Sequence, residues 1–359
     1  VILVFGRRDD PPIALVVAAL QSHGAEYAFV DDRHLDREDI VTTLGPGGLD
    51  GLLVSAGREI PLGSVGGVYA RILGLPPAGD PCAAMRARAF QEIFMEWLDL
   101  TPALVVSRPR AMASNASKPF QAQLIARAGF ATPDTVVTDD LEALAAFRRR
   151  HARVVFKSAS GVRSIVEELG DGHAPRLGYL RDLPTQFQAR VPGVDVRVHV
   201  VGREVFATEI ESQATDYRYA ARSGRAAKLH PVEVEPALRD RCVALAEALS
   251  LPLCGIDLRR RPDGGWVCFE ANPMPAFSYY EEETGAPISD ALARLLMRRS
   301  PVGRLSGHDP GHREPDDHRG HHPGAREPPE PAGLRHGDAA PRGDAAGGGQ
   351  GRPDLEPAR

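Results

Sequence analysis

The chain has 359 residues, 43% of them hydrophobic and 25% charged, with a formal net charge of -5. That length implies two or three domains with sizeable cores, and the weakly acidic balance excludes a general nucleic-acid or membrane-surface partner. Four cysteines, Cys82, Cys242, Cys254 and Cys268, lack zinc or redox spacing, and no stretch reaches the length of a membrane span, which together predict a reduced, cytoplasmic setting.

Residues 1–5 and 26–30 read as strands flanking an apolar helical stretch over 13–23, and 52–55 and 68–72 add two more strands. The alternation predicts a small, mainly parallel α/β domain over 1–110. Gly6 is a lone loop glycine with no GxGxxG or P-loop pattern after it, so no independent nucleotide site is expected there. A helix over 83–100 carries Phe90, Ile93, Phe94 and Trp97 at core spacing.

The next unit spans 111–185. In it, Ser117 caps a helix over 119–128, with Pro119 at the first position and Gly129 just past the end. A strand over 135–138, a helix opened by Asp139 or Asp140, and a strand over 154–157 follow. A strand-rich unit, 186–299, contains strands over 194–201 and 205–211, a helix over 236–250 and an amphipathic helix over 288–299. After Ser300 the composition turns to Gly, Pro, Arg, His and Asp. Such a segment buries too little apolar surface to offset its ordering entropy, so 300–359 is predicted to be a disordered tail, His318, His321 and His322 included.

The segment CGIDLRRRPDGGWVCFEANPMP reads as two apolar strands joined at Pro262-Asp263-Gly264-Gly265, a strong hairpin-turn signal. Alternate strand residues share a face, so Glu270 and Asn272 point the same way and antiparallel pairing brings Asp257 beside them. Isolated acidic pairs are usually solvated. Here Asp257 lies between Ile256 and Leu258, and Glu270 follows Val267, Cys268 and Phe269, where an unpartnered acid is costly. Such hard oxygen ligands suit Mg²⁺, which fills its remaining positions with water and phosphate oxygens, and ATP is the obvious phosphate donor.

Two lysines precede this cluster. Lys118 opens the helix after Ser117, and Lys157 ends an apolar strand just before Ser158-Ala159-Ser160-Gly161-Val162-Arg163-Ser164. A small-residue loop lets backbone N–H groups approach phosphate oxygens, and a lysine at its entrance adds positive charge. Arg197 shares a strand face with Asp195, where it either reaches over the site or forms a surface ion pair with Asp195. The polar segment QATDYRYAARSGRAAK carries Arg218 and Arg222, suited to an acidic substrate or to solvent alike.

Taken in order, SKPFQAQLIARAGFATPDT, VVFKSASGVRSIV, FQARVPGVDVRVHVVGREVFATEI, CGIDLR and CFEANPMPAF resemble the ATP-grasp superfamily. Within it, they resemble the RimK-like branch of ribosomal-protein glutamate ligases and the ligases that cyclise ribosomal peptides. The resemblance implies an α+β ATP-grasp fold over 111–299 behind the α/β domain. It implies that Lys118 and Lys157 contact ATP, that the loop containing Ser158 and Gly161 closes over the phosphates, and that Gln188, Ala189, Arg190 and Val191 form the hinge strand that holds adenine by its backbone. It further implies that Arg197, in its Asp195-x-Arg197 setting, meets phosphate or an acyl phosphate. Asp257, Glu270 and Asn272 would hold Mg²⁺, as a pair of ions, with Mn²⁺ an acceptable substitute.

The hinge lacks the carboxylate that often follows its glutamine in relatives, and Pro273-Met274-Pro275 stands where glutamate-ligating relatives have small residues, so the resemblance leaves substrate identity open. A carboxylate is a poor electrophile. Phosphorylating it with ATP and letting an amine or hydroxyl displace phosphate needs positioning and charge neutralisation more than an enzyme nucleophile. The expected activity is therefore an ATP-dependent ligase acting on a peptide, protein or amino-acid carboxylate, with no particular oligomeric state implied. The alternative is an inactive ATP-binding scaffold or sensor, which would need fewer of these residues. A dehydrogenase lacks its fingerprint.

Overall fold

In the computed structural model, residues 1–45, 48–75, 80–158, 166–212 and 228–298 are described, Ser158 by its backbone alone. The chain opens with β1 (Ile2–Gly6), α1 (Pro11–Ser22) and β2 (Tyr27–Asp31). An antiparallel three-stranded sheet follows, from β3 (Asp39–Gly45), β4 (Gly48–Ser55) and β5 (Arg58–Pro61). The strand expected over 52–55 thus belongs to β4 and lies outside the parallel sheet. Only two residues separate β3 from β4, too few for the crossover that parallel pairing requires. Next come β6 (Gly67–Ala70), α2 (Pro81–Leu100) and β7 (Leu104–Val106), which complete a parallel sheet of order β2-β1-β6-β7. At three residues, β7 is too short for periodicity to reveal. Helix α2 buries Phe90, Phe94 and Trp97 against this sheet's core, while Asp80 caps it by accepting from the Cys82 and Ala83 N–H groups.

A short helix α3 (Pro109–Met112) leads to α4 (Lys118–Arg127), where the Ser117 hydroxyl accepts from the Phe120 N–H. The following sheet contains β8 (Thr135–Thr138), β9 (Val154–Ser158), β10 (Glu167–Glu168) and β11 (Thr185–Ala189) in the order β10-β9-β11-β8, with α5 (Leu141–Arg150) between β8 and β9. β11 pairs with both β8 and β9 and so belongs to this sheet.

The largest sheet has the order β14-β13-β12-β15-β16, antiparallel throughout. Its strands are β12 (Val194–Val201), β13 (Glu204–Glu211), β14 (Lys228–Val232), β15 (Leu253–Arg260) and β16 (Trp266–Asn272). Helix α6 (Pro236–Ala248) covers one face, burying Leu238, Cys242 and Leu245 with Val196, Val198, Ile256, Leu258 and Cys268. Burial raises the Cys242 and Cys254 thiols to about 12 and lifts Cys268 well above its usual range, so these three are inert core residues.

After α7 (Ser278–Thr284), α8 (Ile288–Met297) buries Ile288, Leu292 and Leu296. Its sequence stripe, Ile288, Leu292, Leu295 and Leu296, predicts packing on the domain that carries Asp257 and Glu270. In fact it is shared, because one cluster joins Ile288, Leu292 and Leu296 to Val16 and Leu20 of α1 as well as to Val201 and Leu253. Gly67 permits this approach, since a β-carbon there would lie 2.7 Å from the Leu296 carbonyl oxygen. The tail over 300–359 lies outside the described residues.

Candidate active site

The Pro262-Asp263-Gly264-Gly265 turn forms as expected. The Gly264 N–H donates to the Arg261 carbonyl at 2.9 Å, and the Gly265 N–H to Asp263 Oδ1 at 2.9 Å. In the resulting ladder Asp257 lies directly opposite Glu270 on β16 and opposite Arg197 on β12, while Gly255 lies opposite Asn272. Directly paired residues share a face, so Arg197, Asp257 and Glu270 form one row.

A bulge makes the row possible. Leu258 pairs with Cys268 while Asp257 pairs with Glu270, leaving Phe269 as the extra residue. Strict alternation would put Cys268 and Glu270 on one face; instead Cys268 is fully buried in the core and Glu270 faces the cleft.

That cleft is lined by Lys157, Gln188, Ala189, Arg190 and Val191 on one side and by Asp195, Asp257, Phe269 and Glu270 on the other. Lys118 lines an adjoining cavity that shares Lys157, Gln188 and Phe269 with it. Thus both lysines, the hinge and the two acids converge, although they span much of the chain. Asn272 is half-buried and outside both cavities. Among the described residues no three His, Cys, Asp or Glu side chains gather as a metal set. The candidate set is therefore two carboxylates with an amide nearby. Gly161, Arg218 and Arg222 lie outside the described residues.

Arg197 is 6% exposed and its Nη1 donates to Asp257 Oδ1 at 2.5 Å. Asp195 instead accepts from Arg259 at 2.7 Å, so of the two readings left open for Arg197 the ion pair with Asp195 gives way to two cross-strand pairs. Arg197 Nε also faces His199 Nε2 at 3.4 Å. As the acceptor in that contact, Nε2 carries no proton, so the neutral ring bears its hydrogen on Nδ1, which is buried without a partner. Burial, and then the Arg197 charge, hold the His199 pKa well below its usual value.

Gly255 makes room for the guanidinium. A β-carbon there would lie 2.2 Å from Arg197 Nη2 and 2.8 Å from the Pro275 β-carbon. Gly255→Ala should displace Arg197 from Asp257 and lower the melting temperature by several degrees, consistent with about 1–3 kcal/mol for overpacking. Thermal denaturation followed by circular dichroism checks this, and an unchanged midpoint would mean the arginine moves aside at no cost.

Two site residues were not assigned roles from the sequence. Arg259 Nη1 donates to the Val191 carbonyl at 2.8 Å and the guanidinium lies 5.0 Å from the Phe269 ring centroid, so it ties the hinge to β12 and β16. Its period-two relation to Asp257 was the available signal. Gln186, opposite Lys157, is 2% exposed with its side-chain oxygen unpartnered. Within the hinge, the Ala189 and Arg190 N–H groups are already engaged by the Asp134 and Arg153 carbonyls, each at 2.9 Å.

The chain resembles known proteins over this region. The RimK-like ATP-grasp domain matches residues 116–296. A probable alpha-L-glutamate ligase of Picosynechococcus is 26% identical over 208 residues, covering 55% of this chain and 68% of the relative. A ribosomal protein bS6–L-glutamate ligase of Salmonella paratyphi B is 30% identical over 119 residues, covering 33% of this chain and 39% of that protein. Among solved structures, the ATP-grasp ligase PsnB complexed with minimal precursor is 25% identical, with a TM-score of 0.69 over 83% of this chain and 98% of that one. A Chryseobacterium gregarium RiPP-associated ATP-grasp ligase, in complex with ADP and a leader and core peptide, has a TM-score of 0.71 at 23% identity over 84% of this chain and 97% of that one. With its parallel α/β sheet ahead of the matched segment and its two acids and Lys157 lining one cleft, the chain belongs to the RimK-like ATP-grasp family, a family of ATP-dependent ligases.

Proposed function

We propose that this ligase transfers the γ-phosphoryl group of ATP to a carboxylate of a peptide, protein or amino-acid substrate, and that an amine or hydroxyl then displaces phosphate. The observation that carries the reading is the Asp257–Glu270 pair, in register across β15 and β16 and lining the same cleft as Lys157 and the hinge. The names of its relatives, glutamate ligases and a ligase with a peptide precursor, support a carboxylate-bearing amino acid or peptide as substrate. We further propose that residues 111–299 form the catalytic part behind an α/β domain over 1–110. No helix among the described residues is long and apolar enough to cross a membrane, and we propose a cytoplasmic site of action.

Two carboxylates beside an amide fit Mg²⁺, which takes one or two carboxylates and completes its shell with water and phosphate oxygens. When bound, the ion neutralises phosphate charge, and a pair of ions is the arrangement we favour. Arg197 fixes Asp257 by engaging Oδ1, leaving Oδ2 outside that bond. Lys157 and Lys118 add positive charge at the two joined cavities, and the hinge receives the base. Acyl transfer then rests on positioning within the cleft, without a nucleophile from the chain.

The test is ADP release by the purified chain with ATP, Mg²⁺ and peptides carrying glutamate and aspartate side chains, with product analysis by mass spectrometry. ADP formation that depends on the carboxylate, together with a product whose mass is that of the joined reactants less one water, is the expected outcome. Nucleotide binding with no carboxylate-dependent ADP would mean an ATP-binding scaffold instead. Lys157→Ala should weaken ATP binding about tenfold or more, the cost of one charge-assisted bond. Unaltered affinity in a calorimetric titration would reduce Lys157 to a strand-end residue.

A further inference from the structure

β16 is the edge strand of the five-stranded sheet, and an edge strand presents unpaired backbone groups on its outer side. At Ala271 those groups are not left to solvent. The Gln121 side chain, on α4, donates from Nε2 to the Ala271 carbonyl at 2.7 Å and accepts at Oε1 from the Ala271 N–H at 3.1 Å. Gln121 is 3% exposed and stands 150 residues away in the chain, so its carboxamide does for Ala271 what a residue of a sixth strand would do.

Ala271 lies between Glu270 and Asn272. It is fully buried, with its side chain in the core on the opposite face. The two bonds therefore fix the peptide units that carry the side chains on either side of it. Gln121 is also one turn along α4 from Lys118, which lines the cavity adjoining the cleft. A single carboxamide thus joins the element bearing Lys118 to the strand bearing Glu270 and Asn272. We propose that Gln121 is a positioning residue that sets the aim of Glu270 and Asn272 and their distance from Lys118. This rests on the reading of Glu270 as a metal ligand.

The carboxamide pattern is specific. Methionine has nearly the same length and volume but offers neither bond, and glutamate keeps the acceptor while losing the donor to the Ala271 carbonyl. The full chain is titrated with Mn²⁺ in the presence of a non-hydrolysable ATP analogue, with free Mn²⁺ read by electron paramagnetic resonance. Thermal melting is measured in parallel. Parent, Glu270→Gln, Gln121→Met, Gln121→Glu and Ile125→Val are compared; Ile125 is a fully buried core residue of the same helix and controls for loosening of α4.

Gln121→Met should weaken Mn²⁺ binding about 10-fold to 100-fold, the range for losing a group that orients a ligand, whereas Ile125→Val should lower the melting temperature without that loss. Gln121→Glu, which retains one bond, should also bind Mn²⁺ more weakly than the parent, and it carries the test if Gln121→Met does not fold. Parental Mn²⁺ affinity in a folded Gln121 variant, with only a lowered melting temperature, would overturn the positioning role and leave a structural tie. Should Glu270→Gln bind Mn²⁺ as the parent does, the metal reading itself fails and the role of Gln121 with it. That outcome is distinct, because it appears in the Glu270 variant first.

Discussion

Glu270→Gln should lower ATP-dependent ADP formation by more than about 100-fold, beyond what losing an outer-sphere partner of a metal typically costs. The substitution removes charge with little change in volume, and Glu270 is a half-buried cleft residue, so the fold should persist. Asp257→Asn should abolish activity equally but for two reasons. Asp257 also accepts the 2.5 Å bond from buried Arg197, and weakening one partner of such a pair leaves a poorly compensated charge. A lowered melting temperature is therefore expected for Asp257→Asn and not for Glu270→Gln. The measurement is steady-state ADP release over a Mg²⁺ range, alongside melting curves. Near-parental turnover of Glu270→Gln at limiting Mg²⁺ would remove it from the ligand set.

The second large effect concerns helix α8. A chain ending at Ser300 should melt within about 2 °C of the full chain, because the residues beyond it lack the apolar side chains needed to pack. A chain ending at Pro287 should show no cooperative transition. It loses Ile288, Leu292 and Leu296, each at most 2% exposed, and truncating a single buried Leu or Ile to alanine alone costs about 2–5 kcal/mol. Three such losses approach the whole stability of a domain, about 5–15 kcal/mol. Because α8 shares its core with α1 and with β12, its removal should loosen both the parallel sheet and the metal-candidate sheet. Equal melting losses for the two truncations would make the segment after Ser300 structural.

The sequence by itself determined most of the elements and singled out Asp257 and Glu270 as a facing pair. Ser117 and the Asp139-Asp140 pair announce helix starts by the acceptors they offer, and Pro262-Asp263-Gly264-Gly265 announces a turn by its chemistry; such signals are local, and the structure realises them, with Asp140 as the cap. Asp257 and Glu270 were legible together because a hairpin links them closely enough for register to be inferred. What needed the tertiary structure was long in range or short in signal. Three-residue β7 carries no readable period, and the two-residue link from β3 makes β4 the antiparallel partner of β3 in a separate sheet. The bulge at Phe269 reversed the alternation that strand spacing alone would give, sending Cys268 to the core and Glu270 to the cleft. Which arginine neutralises which acid was also undecidable from spacing. Asp195 and Arg197 share a face, yet cross-strand neighbours lie closer than residues two apart on one strand, so Asp195 met Arg259 and Arg197 met Asp257. Gln121 looked like any polar residue on a helix. Only the packing of α4 on the edge of β16, which buries the carboxamide against backbone groups that must be satisfied, gives it a task.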